Sequence, residues 1–384
     1  MPTTPMKNLL YRLALPVLAP SVRGQLTHER SGIVHLKRYE DLLVKHHVCG
    51  ASLLLRSGEK TASVHTSCAR PDHHADDRTI YRVASITKTA TALVTLMLCE
   101  EGAFALDTPV YDLLPEGDHP ALAGVTVRHL LSHTSGLQDL PALDKALRRG
   151  ETFRTVLDDP AVRACAPGTS MIYSNFGFGL LGCMLEQTTG QCLEALFRQR
   201  LFCPLGMRAT LDGSTLDRSL IMPISRVLPY HAGQDVTVTA LGSIPLTEPD
   251  PLRHFGHTAG AMYTDAPSLS KMLTLIHQEG AAEGRQLLKA ESIREMITRQ
   301  SSTPTRVYGL GLVLLNRPEL SDKTLLGHQG FAYGCVDGAF VESGTGRQVI
   351  FLNGGASEAR QGRLGLVNRD VLRWALREEM PAWK

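Results

Sequence analysis

The stretch TIYRVASITKTATALVTLMLCEEG, residues 79–102, constrains the fold more than any other part of the chain. A short apolar segment suited to a strand runs directly into Thr87 to Glu101. That run has no Gly or Pro and is rich in Ala and Leu, so it predicts a helix beginning at or just before Ser85. Ser85 then stands at a helix N-terminus, and Lys88, almost one turn later, rises on the same face. A serine hydroxyl is a poor nucleophile until a base removes its proton, and a lysine serves as that base when desolvation or neighbouring charge keeps it neutral. Free backbone N–H groups at the helix start favour negative charge and suit an oxyanion. The Ser-x-x-Lys spacing also occurs at Ser57 to Lys60 and Ser268 to Lys271. The first of these reads as a hairpin turn, the second as part of an ordinary amphipathic helix. Only the copy at Ser85 joins a strand to a long apolar helix.

The remaining periodicity places structure at both ends of the chain. A helix is expected over Gly32 to His47, followed by strands over Cys49 to Arg56 and Thr61 to Ser67 that form a hairpin through Ser57-Gly58. Residues 142–202 are predominantly helical, including Gly177 to Thr188 and Cys192 to Leu201, whereas the Pro-, Gly- and Thr-rich residues 208–254 read as loops and short strands. Helices over Ala266 to Glu279 and Lys289 to Arg299 precede strands at Gly309 to Leu315, Thr324 to Leu326, Gly334 to Val341 and Arg347 to Asn353. A last helix covers Leu364 to Glu379. This order predicts an α+β protein whose sheet is assembled from both ends of the chain. The domain division that follows is an N-terminal extension over 1–30, an α/β domain from 31–100 and 255–384, and a helical and loop-rich insertion over 101–254.

Charge excludes some partners. Forty basic against 38 acidic residues leave a net charge of +2 over 384 residues, which gives no basis for nucleic-acid binding or attraction to an anionic membrane. No segment approaches the roughly 18 apolar residues that span a bilayer. In the N-terminal MPTTPMKNLLYRLALPVLAPS, Arg12 and Pro16 divide the apolar run and no clear cleavage site follows, so cytoplasmic residence is expected. The 8 cysteines form no Cys-x-x-Cys pair and read as reduced, structural side chains. The segment Pro71-Asp72-His73-His74-Ala75-Asp76-Asp77 reads as a solvated loop, and neither a metal nor an organic cofactor is expected.

A second constellation lies at Tyr173-Ser174-Asn175, immediately before a predicted helix. A phenol beside an ammonium has its anion favoured, so Tyr173 is a candidate to share the Ser85 proton with Lys88. The plainer alternative is a tyrosine and an asparagine tying a loop together. Ser85-x-x-Lys88 followed by Tyr173-x-Asn175 resembles the serine hydrolases related to penicillin-binding proteins and class C β-lactamases. The likeness continues through VRHLLSHTSGL (127–137), PGTSMIYSNFGFGLLGCMLEQTTG (167–190) and LFCPLGM (201–207), and it covers most of residues 35–355.

The resemblance implies an antiparallel β-sheet flanked by helices, with a mostly helical inserted domain and the active site between them. Its third motif, Lys-Thr-Gly or His-Thr-Gly on a sheet strand, is matched here by His328-Gln329-Gly330. His254-Phe255-Gly256 is the alternative, although Gly256-His257-Thr258-Ala259-Gly260 resembles the returning turn of the family instead. The implied chemistry is acyl transfer from Ser85, with Lys88 and Tyr173 handling its proton and the backbone N–H groups of Ser85 and Phe331 holding the oxyanion. Asn175 would orient Lys88 and a substrate amide, Gly330 would leave room for substrate, and Asn353 in FLNGG would contact a substrate carboxylate. A small-molecule amide or ester is the expected partner. Class C β-lactamase-like hydrolysis leads this reading, with a peptidase for D-amino-acid peptides, a carboxylesterase and a penicillin-binding sensor without turnover as alternatives. His328 stands where a lysine would offer a permanent charge, and a histidine near its ordinary pKa of about 6.5 is mostly neutral at pH 7. Capture of an anionic β-lactam is therefore weakened.

Overall fold

A computed structural model of the protein describes residues 26–30, 32–66, 75–224, 245–304, 306–332 and 334–383. Its centre is one antiparallel sheet of nine strands: β1 (Leu26–Arg30), β2 (Ala51–Ser57), β3 (Lys60–Thr66), β4 (Ser301–Thr303), β5 (Arg306–Tyr308), β6 (Val313–Leu315), β7 (Leu325–Ala332), β8 (Cys335–Glu342) and β9 (Gln348–Asn353). The spatial order is β1-β3-β2-β9-β8-β7-β6-β5-β4. Strand β2 pairs with β9 from Ala51↔Asn353 to Arg56↔Gln348, so the two ends of the chain close the sheet as the sequence predicts. The hairpin between β2 and β3 turns at Gly58, whose φ of 58° suits a residue without a side chain.

Alternation along the strands divides the core in two. Leu53, Leu55, Phe340, Val349 and Phe351 face one side, where they pack with helices α1 (Leu36–Lys45) and α6 (Leu366–Trp374). There Tyr39 of α1 stacks on Trp374 of α6 at 5.1 Å between ring centres. Leu54, Val341, Ile350 and Leu352 face the other side and join a larger core built around α2 (Thr87–Glu100), α4 (Asn175–Thr189) and α5 (Ala266–His277). Helix α3 (Pro141–Arg149) lies in the chain between α2 and α4 and buries Leu143 and Ala146. Helix α2 is buried on nearly every side, which is why its sequence shows almost no polar face.

Several elements differ from the sequence reading. The first helix is shorter than expected, 36–45 in place of 32–47. The strand expected at Thr324 to Leu326 runs on to Ala332 and carries His328-Gln329-Gly330. Of the strand expected at Gly309 to Leu315 only β6 forms, because the chain turns there from β5 through Gly311, whose φ is 69°. Strand β1 falls within the N-terminal extension, where no strand was named, since its sequence LTHER carries little apolar signal. Residues 1–25, most of that extension, lie outside the described residues, as do Pro71 to His74 of the polar loop and 225–244 of the loop-rich stretch. No disulfide joins the described cysteines. No helix among the described residues is long and apolar enough to cross a membrane.

Candidate active site

Ser85 sits in a single tight turn, Ala84–Ile86, ahead of α2. Ala84 there has φ 44°, a left-handed conformation that a residue with a Cβ seldom adopts. Hydrogen bonds hold the turn in place: Val83 N–H donates to the Met262 carbonyl at 3.0 Å, Thr87 Oγ1 to the Ala84 carbonyl at 2.6 Å, and Met262 N–H to Thr87 Oγ1 at 3.1 Å. On its outer side lies β7. The pairing of β7 with β6 ends at Val313↔Gly327, and the turn bearing Ser85 lies against the edge beyond.

This contact corrects the role expected of Gly330. A Cβ at that position would lie 2.3 Å from the Val83 carbonyl oxygen and 3.2 Å from the Ala84 Cβ. The glycine lets strand and nucleophile turn meet, and its missing side chain opens no room for substrate.

Lys88 is fully buried, with three acceptors around its amine. Its Nζ lies 3.1 Å from Ser85 Oγ, 2.8 Å from Asn175 Oδ1 and 2.6 Å from the Ala259 carbonyl oxygen. Burial drives its pKa from the usual 10.5 to about 7, with the Asp139 carboxylate pulling in the opposite direction. A neutral amine donates twice and accepts once. Donation to Asn175 and Ala259 leaves the lone pair facing the Ser85 hydroxyl, which is the arrangement a general base needs.

Asn175 is the first residue of α4, and Ser174 caps the helix by accepting from Gly177 N–H at 2.9 Å. The Asn175 amide bridges two groups, accepting from Lys88 and donating to Asp139 Oδ2 at 2.7 Å. Asp139 also accepts from Phe176 N–H at 2.9 Å, so it pins the start of α4. Tyr173 places the face of its ring 5.0 Å from Lys88 Nζ and packs on His133 at 4.3 Å between ring centres. His328 lies behind Tyr173, 6.4 Å away ring to ring, and its Nδ1 is 2.7 Å from the Gln329 carbonyl oxygen.

A cleft of about 400 Å³ opens over this cluster. Ser85, Asn175 and Phe331 line it together with Arg82, Asp144 and Arg148; His328 does not. Phe331 carries the Arg360 guanidinium on its ring at 3.9 Å. Asn353, also expected at the site, is held within the sheet. It is 1% exposed, accepts from Val336 N–H at 3.2 Å and donates to the Val336 carbonyl at 2.8 Å, so its amide is spent on joining β9 to β8. His254, the alternative third-motif histidine, is buried against Glu186, with its Nδ1 2.8 Å from the carboxylate. The decoy Ser-x-x-Lys at Ser268 is likewise structural: Lys271 donates to the Gly206 carbonyl at 2.8 Å.

The profile of the family described as Beta-lactamase matches residues 36–353. The chain belongs to the beta-lactamase family. Its relatives are serine hydrolases with small-molecule substrates. Esterase EstB of Burkholderia gladioli is 30% identical over 342 residues, covering 77% of this chain and 82% of the relative. Penicillin-binding protein 4 of Amycolatopsis lactamdurans is 28% identical over 270 residues, covering 67% of each. The fold matches that of D-amino acid amidase from Ochrobactrum anthropi SV3, with a TM-score of 0.65 at 24% identity over 85% of this chain and 94% of that one.

Three groups at the site escaped the sequence reading. The Ala259 carbonyl belongs to the backbone and leaves no trace in residue identity. Asp139 stands two residues beyond the HTSGL block, and its only signal is that the Asn175 amide needs an acceptor. His133, with φ 59°, is a histidine in a loop until the fold sets it against Tyr173.

Proposed function

We propose that the chain hydrolyses small-molecule esters and amides through an acyl-enzyme on Ser85. Neutral Lys88 takes the hydroxyl proton as Ser85 Oγ bonds to the substrate carbonyl carbon, and the backbone N–H groups of Ser85 and Phe331 receive the oxyanion. The proton then passes to the leaving oxygen or nitrogen. Water attacks the acyl carbon in the second half, with Lys88 and Tyr173 as the proton carriers, and Ser85 is regenerated. Asn175 fixes the direction of the Lys88 lone pair throughout. In this reading the site lies between the α/β unit (31–100 and 255–384) and the insertion (101–254).

The observation that carries the proposal is Lys88: fully buried, with pKa near 7 and its nitrogen 3.1 Å from the serine oxygen. Among the activities of relatives, ester hydrolysis leads. EstB carries that name, and β7 offers His328, 3% exposed, in place of a lysine for the carboxylate of a β-lactam. A class C β-lactamase activity and cleavage of D-amino-acid amides or peptides use the same steps with different acyl donors.

Intact mass and product release, followed together with a p-nitrophenyl ester and a chromogenic cephalosporin, test the proposal. Many equivalents of product per enzyme are expected with the ester. One equivalent followed by a persistent adduct would support the ligand sensor and reject the hydrolase.

A further inference from the structure

Helix α3 forms one wall of the cleft and presents Leu143, Asp144, Leu147 and Arg148 to it. These are positions i, i+1, i+4 and i+5, a single face of the helix. The two leucines give that face an apolar floor. The two charged side chains beside them are exposed, about one helical turn apart, and make no ion pair among the described residues, although their neighbour Arg149 approaches Glu151 at 3.6 Å. Arg82 also borders the cleft but is only 8% exposed. Arg148 is therefore the exposed cation of the cleft lining, set beside the exposed carboxylate of Asp144, whereas His328 on β7 is buried.

We infer that Arg148 is a specificity-determining residue that selects substrates carrying a carboxylate, with the apolar part of the substrate lying over Leu143 and Leu147. The cation that binds the substrate is thus moved from the sheet strand to α3. A guanidinium matches a carboxylate with two parallel hydrogen bonds, which a lysine or histidine does not. Asp144, one turn away, works against the same carboxylate and sets how strongly it is preferred. The inference rests on Ser85 as the reacting oxygen.

The test compares kcat/KM for matched esters with and without a carboxylate: p-nitrophenyl glutarate against valerate, and 4-carboxyphenyl against phenyl acetate. The carboxylate is favoured in at least one series. Arg148→Gln lowers that preference by about tenfold, the scale of one charge-assisted hydrogen bond, and Asp144→Asn raises it. The preference also weakens as salt shortens the screening length. Circular dichroism and stoichiometric fluorophosphonate labelling establish that each variant is folded with its serine reactive. A preference unchanged within about twofold in both variants, or absent from the wild type, overturns the role of Arg148 and leaves Ser85 untouched. Labelling that survives Ser85→Ala overturns the underlying reading.

Discussion

At the residue scale the chemistry depends on how little water reaches Lys88. In water its amine would be almost wholly protonated at neutral pH; burial brings the pKa to about 7, so that roughly half is free base there. Acylation should therefore rise with pH through a midpoint near 7 as the base form accumulates, a profile read from kcat/KM on an uncharged ester. Asp139 supplies the one opposing influence, since its charge favours the ammonium. Asp139→Asn should displace the acid limb to lower pH. It should also reduce kcat/KM by about tenfold, because the Asn175 amide loses its charged acceptor and no longer aims at Lys88. An acid limb that stays in place would show that Asp139 does not act on Lys88. The sequence made Ser85, Lys88, Tyr173 and Asn175 legible because each belongs to a local pattern. Asp139 and the Ala259 carbonyl were not, because 36 and 171 residues separate them from their partners.

At the scale of elements, three close approaches fix where the reacting groups stand. Strand β7 meets the Ser85 turn at Gly330. Helix α4 meets the Phe255 carbonyl at Gly179, where a Cβ would lie 1.7 Å from the oxygen, and Thr258 at Gly182. These contacts place Ala259 against Lys88 and explain why glycines recur in NFGFGLLG, residues 175–182, despite their low helix propensity. Gly330→Ala should push β7 from the turn, lowering kcat by at least tenfold while the protein keeps its circular dichroism spectrum, since a shift near 1 Å suffices to misplace reacting atoms. Wild-type kcat in that variant would show that the strand has slack. The start of β7 is legible in the sequence, whereas its length beyond Leu326 and the packing role of Gly330 are not. The strand residues Gly327 and Gly330 look like a break until the neighbouring backbone is in view. Asn353 misled for a related reason, because a conspicuous polar residue at a strand end reads as a ligand when it is a cross-strand tie.

At the scale of the whole molecule, the sheet forms only when the chain ends meet, and helices α1 and α6 cover its far face. Trp374 is 1% exposed and stacks on Tyr39 across those helices. Trp374→Ala should cost about 3–5 kcal/mol, a large part of the usual 5–15 kcal/mol margin, as measured by denaturant unfolding. A loss under about 1 kcal/mol would mean the two helices do not hold the sheet closed. The pairing of β2 with β9 was legible only as a consequence of strands at both ends of the chain. The chemistry as a whole turns on one oxygen. Intact mass after treatment with a fluorophosphonate measures it most directly: the wild type should gain one adduct and Ser85→Ala none, whereas an equal adduct on the folded variant would place the nucleophile elsewhere.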